Sequence, residues 1–596
     1  MHRAADPVRL AVLTSRMQGI VRGMMNTLFR TARSGVINTA RDFSACIVTR
    51  EDELLVAAES LPIHVMVGPD IVAGWMKRFH PCLRAGDAFL HNSPYHGNSH
   101  AGDHSLLAPV VDAEGNHRFT VYVKAHVADT GNSLPTTIMP SARDVYEEGA
   151  LIFPCVKVQE AYEDIDDVIR MCQARIRVPD MWRGDLLAML GAVRTAEREL
   201  LKLGTEVGWN SLHEYTREWL DYSEMRMEDA IRALPAGGRR VGRTFYDSLP
   251  FPGVENGLPI EATAEVFRDE GVIEIDCRNN PDCVQCGINL TEATARSAAM
   301  VGVFNSIGAG IPPNGGSFRR LKVRLRENCV CGIPVHPFSC STATTGVADR
   351  LAGAVQLAMA QFGESIGMAE AGGCLAAADS IISGCDPRRS GAPFVDMIIL
   401  GVTGGPGNPW SDGWLYYVGG CAGMILRDSK EIDELLHPIR FEEDRIVPNS
   451  EGAGARRGAP SNLVEYAAVD TAIELACASE GTRSPALGAR GGLPGAVGKQ
   501  FKRRLDGQLE PVESPALVVL EAGESIVSYS GGGGGYGTPT EREVERVLKD
   551  VQEGYITCDR ARAVYAVVIT QEGEVDVAET ERLRTERRRI DEQPAV

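Results

Sequence analysis

The sequence predicts an α+β protein of several domains, with mixed or antiparallel sheets and packed helices. Three observations lead there. The 596 residues exceed what one hydrophobic core organises, and suggest roughly three to four domains. Strand-like and helix-like stretches come in clusters rather than in strict alternation, which favours several sheets over one parallel sheet. No window of about 18 uncharged apolar residues occurs, so no membrane span is expected.

The first element is a helix. Asp6 can cap it, Pro7 suits the first helical position, and Leu10, Leu13, Met17, Ile20, Met24 and Leu28 recur at three- and four-residue spacing. Next, the apolar runs of DFSACIV and LLVAA flank the polar Thr49–Glu53 and read as a hairpin. Further strands are expected at 87–91, 106–111 and 119–125. Residues 162–233 read as helical, and Pro235-Ala-Gly-Gly breaks the pattern. Strands follow within 242–277, a helix at 290–307 with Thr291 as cap, a strand in LKVRLR and a helix in VADRLAGAVQLAMAQF. Residues 395–527 are Gly-rich with short strand-like runs. A helix from Pro539 to Glu553 is stopped by Gly554, ARAVYAVVIT reads as a last strand, and the charged run 579–592 as a solvated helix. The expected units are 1–160, 161–240, 241–394, 395–527 and 528–596.

Composition excludes some functions. The net charge of −19 repels phosphate backbones, so nucleic acid is not an expected partner. The 15 cysteines, without a secretory leader pattern, read as reduced thiols of a cytoplasmic protein. Cys277, Cys283, Cys286, Cys329, Cys331 and Cys340 have spacings open to two readings, a thiolate zinc site or unrelated buried thiols. The run Ser530–Gly537 is also open: its amides could cradle an anion ahead of a helix, or its glycines could let backbones approach closely.

The chemistry concentrates in histidine. Eight of the 12 histidines fall between His64 and His126, and HNSPYHGNSHAGDH holds His91, His96, His100, Asp103 and His104 in 14 residues. The interleaved Pro94, Gly97, Asn98 and Gly102 make this a loop between strands. Imidazole and carboxylate are ligands for Zn²⁺ and suit Mn²⁺. A second stretch, Lys124-Ala-His126-Val-Ala-Asp129, ends a strand nearby. His100 and Asp103 with His126 would give three protein ligands and an open position, as catalytic metal sites have. A metal-free acid–base site and a merely polar loop are the alternatives, and spacing alone does not choose among the histidines.

SPYHGNSHAGDHSLLAPV resembles the N-D-P-Y-x-G-G-T-H-x-x-D segment of the hydantoinase B/oxoprolinase family. Arg41-Asp42-Phe43-Ser44 is similar to that family's R-x-D-F-S, Ile63-His64-Val65 to P-V-H-L, Lys124–Asp129 to H-H-A-D-I-G-G, and Tyr146–Gly149 to Y-x-E-G. Asn449–Gly454 resembles S-G-G-A-G, and Gly532–Gly537 resembles G-G-G-G-Y-G-x-P. Thr39, Ser93 and Val127 depart from the pattern, where an acidic residue, Asp and His are usual. The resemblance implies one divalent metal, Zn or Mn, held by Asp42, His100, Asp103 and His126, with His96, His104, Asp129 or Glu148 as orienting groups or general base. It implies a hetero-oligomer in which a hydantoinase A-type subunit holds ATP and phosphorylates the substrate. No G-x-x-x-x-G-K-[ST] occurs in this chain. The expected reaction is opening of a cyclic amide (oxoproline, hydantoin or a lactam). The alternatives are a ketone carboxylase subunit of the acetone or acetophenone type, and a scaffold subunit without chemistry.

Overall fold

The structure, a computed structural model, describes residues 6–307, 310–401, 403–423 and 425–591. Helix α1 (Pro7–Thr31) begins where the Asp6 carboxylate accepts the N–H groups of Val8 and Arg9, and buries Leu13, Met17, Val21, Met24 and Leu28. It packs along α2 (Pro179–Val207), with α3 (Trp209–Arg232) beside both.

These helices cover a seven-stranded antiparallel sheet. Its strands are β1 (Phe43–Thr49), β2 (Leu54–Ala57), β3 (Ala88–His91), β4 (Asp103–Val111), β5 (His117–His126), β6 (Val156–Glu160) and β7 (Glu163–Asp164), in the order β2-β1-β5-β4-β3-β6-β7. The sheet therefore runs slightly past residue 160. β1, β5 and β4 are buried along almost their whole length. Layers on both faces explain this, and explain why these strands read as continuous apolar runs rather than alternating ones. Antiparallel register sets Asp103 opposite His126 and Phe43 opposite Ala125. The starts of β1 and β4 thus meet the end of β5 at one end of the sheet.

A second sheet, β8 (Gly238–Tyr246), β9 (Leu258–Phe267), β10 (Val272–Asp276) and β11 (Leu321–Arg324), has the order β11-β10-β9-β8. It is mixed, because β11 pairs parallel to β10. Helices α4 (Glu292–Ile307) and α5 (Val347–Met359) pack together, and α5 lies on β8 and β9. The Thr291 hydroxyl accepts the Thr294 N–H at 3.2 Å, which caps α4. Two further sheets, one containing Ile381–Asp386 and Ile473–Cys477 and the other Asn462–Ala468 and Ser525–Tyr529, share a core of Ile382, Leu475, Tyr466 and Ile526.

Near the C-terminus the structure corrects one expectation. ARAVYAVVIT does not form a strand: Cys558–Tyr565 is helical, started by the Thr557 hydroxyl and ended at Ala566, φ 51°. Ala561 and Tyr565, four apart, bury one helical face beside Val547, and this tertiary packing overrides the β propensity of the run.

The glycine run resolves to its close-approach reading. The amides of residues 532–537 donate in turn to the carbonyls of Ala496, Ala459, Glu370, Leu493, Arg456 and Ala489, at 2.8–3.0 Å. None of these six N–H groups remains for an anion. A Cβ on Gly533 would stand 2.0 Å from the Gly405 carbonyl oxygen. Segments at 369–373, 404–407, 450–459 and 486–496 surround the run backbone to backbone.

The six cysteines named above do not converge on one point. The Cys329 thiol points to the carbonyls of Cys277 and Asn280, and the Cys340 thiol to that of Leu290. Among the described residues, no helix is long and apolar enough to cross a membrane.

Candidate metal centre

Four elements deliver the side chains. Asp42 precedes β1, held by its N–H to the Val36 carbonyl at 2.9 Å. The 92–102 loop is braced from within: the Asn98 side-chain amide donates to the carbonyls of His100 (2.7 Å) and Asp103 (2.8 Å). Asp103 opens β4 and His126 closes β5. His64 arrives on the single helical turn Pro62–Val65. Gly102 is required here, since a Cβ would lie 2.7 Å from His100 Cε1 and 2.9 Å from His126 Cε1.

His100 Nε2, His126 Nδ1 and Asp103 Oδ1 form a nearly equilateral triangle. The edges are 3.1 Å from His100 to Asp103, 3.2 Å from His126 to Asp103 and 3.2 Å between the histidines. Among the described residues this is the one His/Cys/Asp/Glu group with metal-ligand convergence. Donors about 2.0–2.2 Å from a common ion have separations of this size. The opposite ring nitrogens are engaged outside the triangle: His100 Nδ1 donates to the Ser341 carbonyl at 2.8 Å, and His126 Nε2 lies 2.7 Å from Thr137 Oγ1. A carbonyl oxygen can only accept, so the His100 proton sits on Nδ1 and the lone pair of a neutral ring faces inward. Such outer contacts fix tautomer and ring orientation in metal sites.

Two more groups approach. His64 Nε2 lies 3.1 Å from Asp103 Oδ2 and 3.8 Å from Asp42 Oδ1. Asp42 Oδ1 is buried without a hydrogen-bond partner, an acceptor that a cation would satisfy. The donor set therefore fits a divalent ion. Burial raises the Asp42 carboxyl above its ordinary range, against the pull of His126 and His64. Burial works against charge on Asp103 too, but His100 and His64 hold its carboxyl well below the ordinary range. His100 is raised despite burial, because Asp103 is so close. Behind Asp103, Lys124 is fully buried and donates to Ser99 Oγ at 3.0 Å, and the Ser99 hydroxyl donates to Asp103 Oδ2. Burial lowers Lys124 to about 8.

The structure thus brings together His100, Asp103 and His126 of the expected residues, sets Asp42 at the edge of the cluster, 3.8 Å from His64, and adds His64. That residue belongs to the histidine excess in the sequence, but no local spacing links it to the loop. The other expected residues have their contacts elsewhere. His96 Nδ1 lies 2.7 Å from Ser93 Oγ, and its ring stands edge-on to Trp75. His104, adjacent to Asp103 on β4, points to the opposite face of the sheet, where the Trp182 indole N–H meets its Nδ1 at 3.4 Å; burial lowers it to about 3. Asp129 is paired with Arg177 at 2.9 Å and accepts the Gly131 N–H. Only Glu148 borders the cluster: Ser339 donates to its Oε2 at 2.7 Å, its Oε1 has no partner, and burial raises its carboxyl while His100 opposes that rise.

A cavity adjoins the cluster. Asp42 and His126 form one wall, and Ile138, Met397, Ile399, Val418 and Ile425 much of the rest. A cation with an open coordination position would therefore face a largely apolar chamber.

The family model described as hydantoinase B/oxoprolinase matches residues 6–539. The chain belongs to the hydantoinase B/oxoprolinase family. Among its relatives, the beta subunit of the caprolactamase of Pseudomonas jessenii is 30% identical over 96% of this chain and 98% of its own length. The B component of a putative D-/L-hydantoinase from Pseudomonas sp. (strain NS671) is 25% identical over 97% and 98%. The crystal structure of the ATP-dependent caprolactamase from Pseudomonas jessenii superposes with a TM-score of 0.85 at 27% identity, covering 98% of this chain and 100% of that one. A nucleotide-free acetone carboxylase gives 0.86 at 18% identity, over 100% and 84%, a likeness of fold.

Proposed function

We propose that this chain is the metal-bearing subunit of an ATP-dependent enzyme that opens a cyclic amide, working with a hydantoinase A-type subunit that binds ATP and phosphorylates the substrate. The observation that carries this reading is the triangle of His100 Nε2, His126 Nδ1 and Asp103 Oδ1 opening on an apolar chamber. The caprolactamase and hydantoinase relatives favour amide opening.

Asp42, His100, Asp103 and His126 would hold one divalent cation, Zn or Mn, with His64 against Asp103 and Asp42. Bound there, the cation supplies Lewis acidity and lowers the pKa of water. The chain's own residues do the rest. Ser341 and Thr137 keep the two imidazoles turned inward. Lys124, through Ser99, offsets the negative charge of Asp103. The aliphatic wall excludes bulk water from the reacting bond. Glu148, with one free carboxylate oxygen beside His100, is placed to hold a proton near the cluster.

The test is to purify the chain together with its A-type partner and follow ATP consumption. Turnover that requires a lactam, hydantoin or oxoproline and about one equivalent of divalent metal supports the reading. Turnover that requires bicarbonate and a ketone would replace amide opening by carboxylation. Metal below about a tenth of an equivalent, without turnover, would leave a scaffold subunit.

A further inference from the structure

The segment that brings Asp42 to the edge of the cluster is held from its far side by two buried carboxylates. Between α1 and β1 the chain makes one helical turn, Gly35–Asn38, before it reaches Asp42. Asp185, on α2, accepts the N–H groups of Arg33 (2.6 Å) and Ser34 (3.1 Å) through Oδ1. Asp396, on the strand Ala392–Met397, accepts the next two, Gly35 at 2.9 Å through Oδ2 and Val36 at 3.4 Å through Oδ1. Successive amides of residues 33–36 thus end on two side chains that are themselves buried. Gly35 permits the approach, since a Cβ there would stand 2.8 Å from Asp396 Oδ2.

The hold passes along the backbone to the cluster. Val36 donates its N–H to Asp396, and its carbonyl accepts the Asp42 N–H at 2.9 Å. The Asp42 carbonyl in turn accepts the His126 N–H at 3.0 Å. Asp42 Oδ1, 3.8 Å from His64 Nε2, has no hydrogen-bond partner, so its place is set through the backbone rather than by a polar contact of its own. The strand that carries Asp396 also leads into the chamber, where Met397 and Ile399 form part of the wall beside Asp42.

We propose that Asp396 is a positioning residue for the metal centre. Through the Gly35 and Val36 amides it fixes residues 35–42, and so carries the Asp42 carboxylate to an ion held by His100, Asp103 and His126. This role rests on the metal centre of the proposed function and deepens it, and it is independent of which substrate is opened.

The experiment uses the full chain in complex with its A-type partner. Zn²⁺ affinity is measured by chelator competition, and the visible spectrum is recorded with Co²⁺ in place of Zn²⁺. Asp396→Ala should weaken Zn²⁺ binding by about 10–100-fold, the range for groups that hold a ligand in place. Asp396→Asn keeps one acceptor oxygen and should lose less. Gly35→Ala leaves Asp396 in the chain but moves its carboxylate off the Gly35 amide, and should reproduce the loss. In an Asp42→Ala background, Asp396→Ala should add less than about twofold, because residues acting through one contact are not additive. Asp396→Ala and Asp42→Ala should also show the same altered Co²⁺ spectrum. Asp396→Asn and Gly35→Ala decide the matter if Asp396→Ala does not fold. Wild-type affinity in the Asp396 and Gly35 variants, wild-type affinity in Asp42→Ala, or an additive loss in the double variant would overturn the proposal. A wild type that takes up no metal would overturn it together with the metal centre. The expected affinities without turnover of any amide would uphold it and sink the reaction assigned above.

Discussion

Asp103 Oδ1 stands 3.1 Å from His100 Nε2, the ring nitrogen left without a proton when Nδ1 donates to the Ser341 carbonyl. Two acceptors at that distance repel when the ring is neutral, and a shared cation turns the repulsion into coordination. Removing either partner should therefore empty the site. Asp103→Asn and His100→Ala are each expected to lower bound metal below about a tenth of an equivalent. Each should lower ATP-coupled turnover by more than about 100-fold, beyond the effect of losing a supporting hydrogen bond, while the partner still binds ATP. Elemental analysis with a nucleotide-binding assay checks this. Full activity in His100→Ala would remove that residue from the centre.

Asp428, Asp433 and Asp396 repel one another in a buried group. Burial first, and then its acidic neighbours, raise Asp428 to about 9; burial and Asp396 raise Asp433 to about 7; burial raises Asp396 to about 6. A carboxyl raised on folding contributes stability that is full below its unfolded value near 4 and lost as pH rises through its folded value. The melting temperature should accordingly fall between about pH 4 and pH 9. Asp428→Asn keeps an acceptor for the Ile399 N–H. It should gain about 2–4 °C at pH 8.5 and clearly less at pH 5. A gain that does not depend on pH would contradict this assignment.

Arg350 is buried between Glu370 (3.1 Å) and Glu480 (2.8 Å). Burial opposes its charge, yet the two carboxylates raise it well above its ordinary value. Arg350→Met would strand two acids without a counter-ion, and should cost about 3–5 kcal/mol in urea unfolding. Replacing all three residues by apolar ones of similar size should restore most of that loss.

Gly533→Ala should fail where another glycine tolerates the change. Its Cβ would meet the Gly405 carbonyl oxygen at 2.0 Å, whereas a Cβ on Gly115, φ +84°, meets nothing within 4 Å. Gly115→Ala should cost about 1–2 kcal/mol of backbone strain. Gly533→Ala should cost more than about 4 kcal/mol or prevent soluble expression.

Elements governed by local spacing were legible in the sequence. The Asp6 cap and the three- and four-residue spacing mark α1, and the polar turn at 49–53 marks the β1–β2 hairpin. The histidine excess and the loop residues around it point to the centre, and the family resemblance selects Asp42 within it. What long-range closure decides was not legible. His64 joins the cluster only because the sheet folds its helical turn over Asp103. Ser341 reaches His100 across 241 positions of sequence. His104 and Asp129 carry the right chemistry but face Trp182 and Arg177, partners that no short pattern announces. At 561–565 a β-prone composition hid the end of a helix whose stability comes from packing.

The glycine run has a further consequence for how the chain reaches its native state. Five stretches spread from residue 369 to residue 537 must assemble with few side chains to guide them, chiefly Ala369, Ala489 and Tyr536, and glycine gives up more freedom on ordering than any other residue. Such an assembly has no stable halves. A polypeptide ending before residue 529 would lack the strand of backbone that the other four stretches enclose. Thr403 lines the chamber, and the glycines that follow it would lose the Gly531 and Gly534 carbonyls that the Gly404 and Gly407 amides reach, so the seven-stranded sheet could form its half of the pocket and still face a wall without one of its anchors.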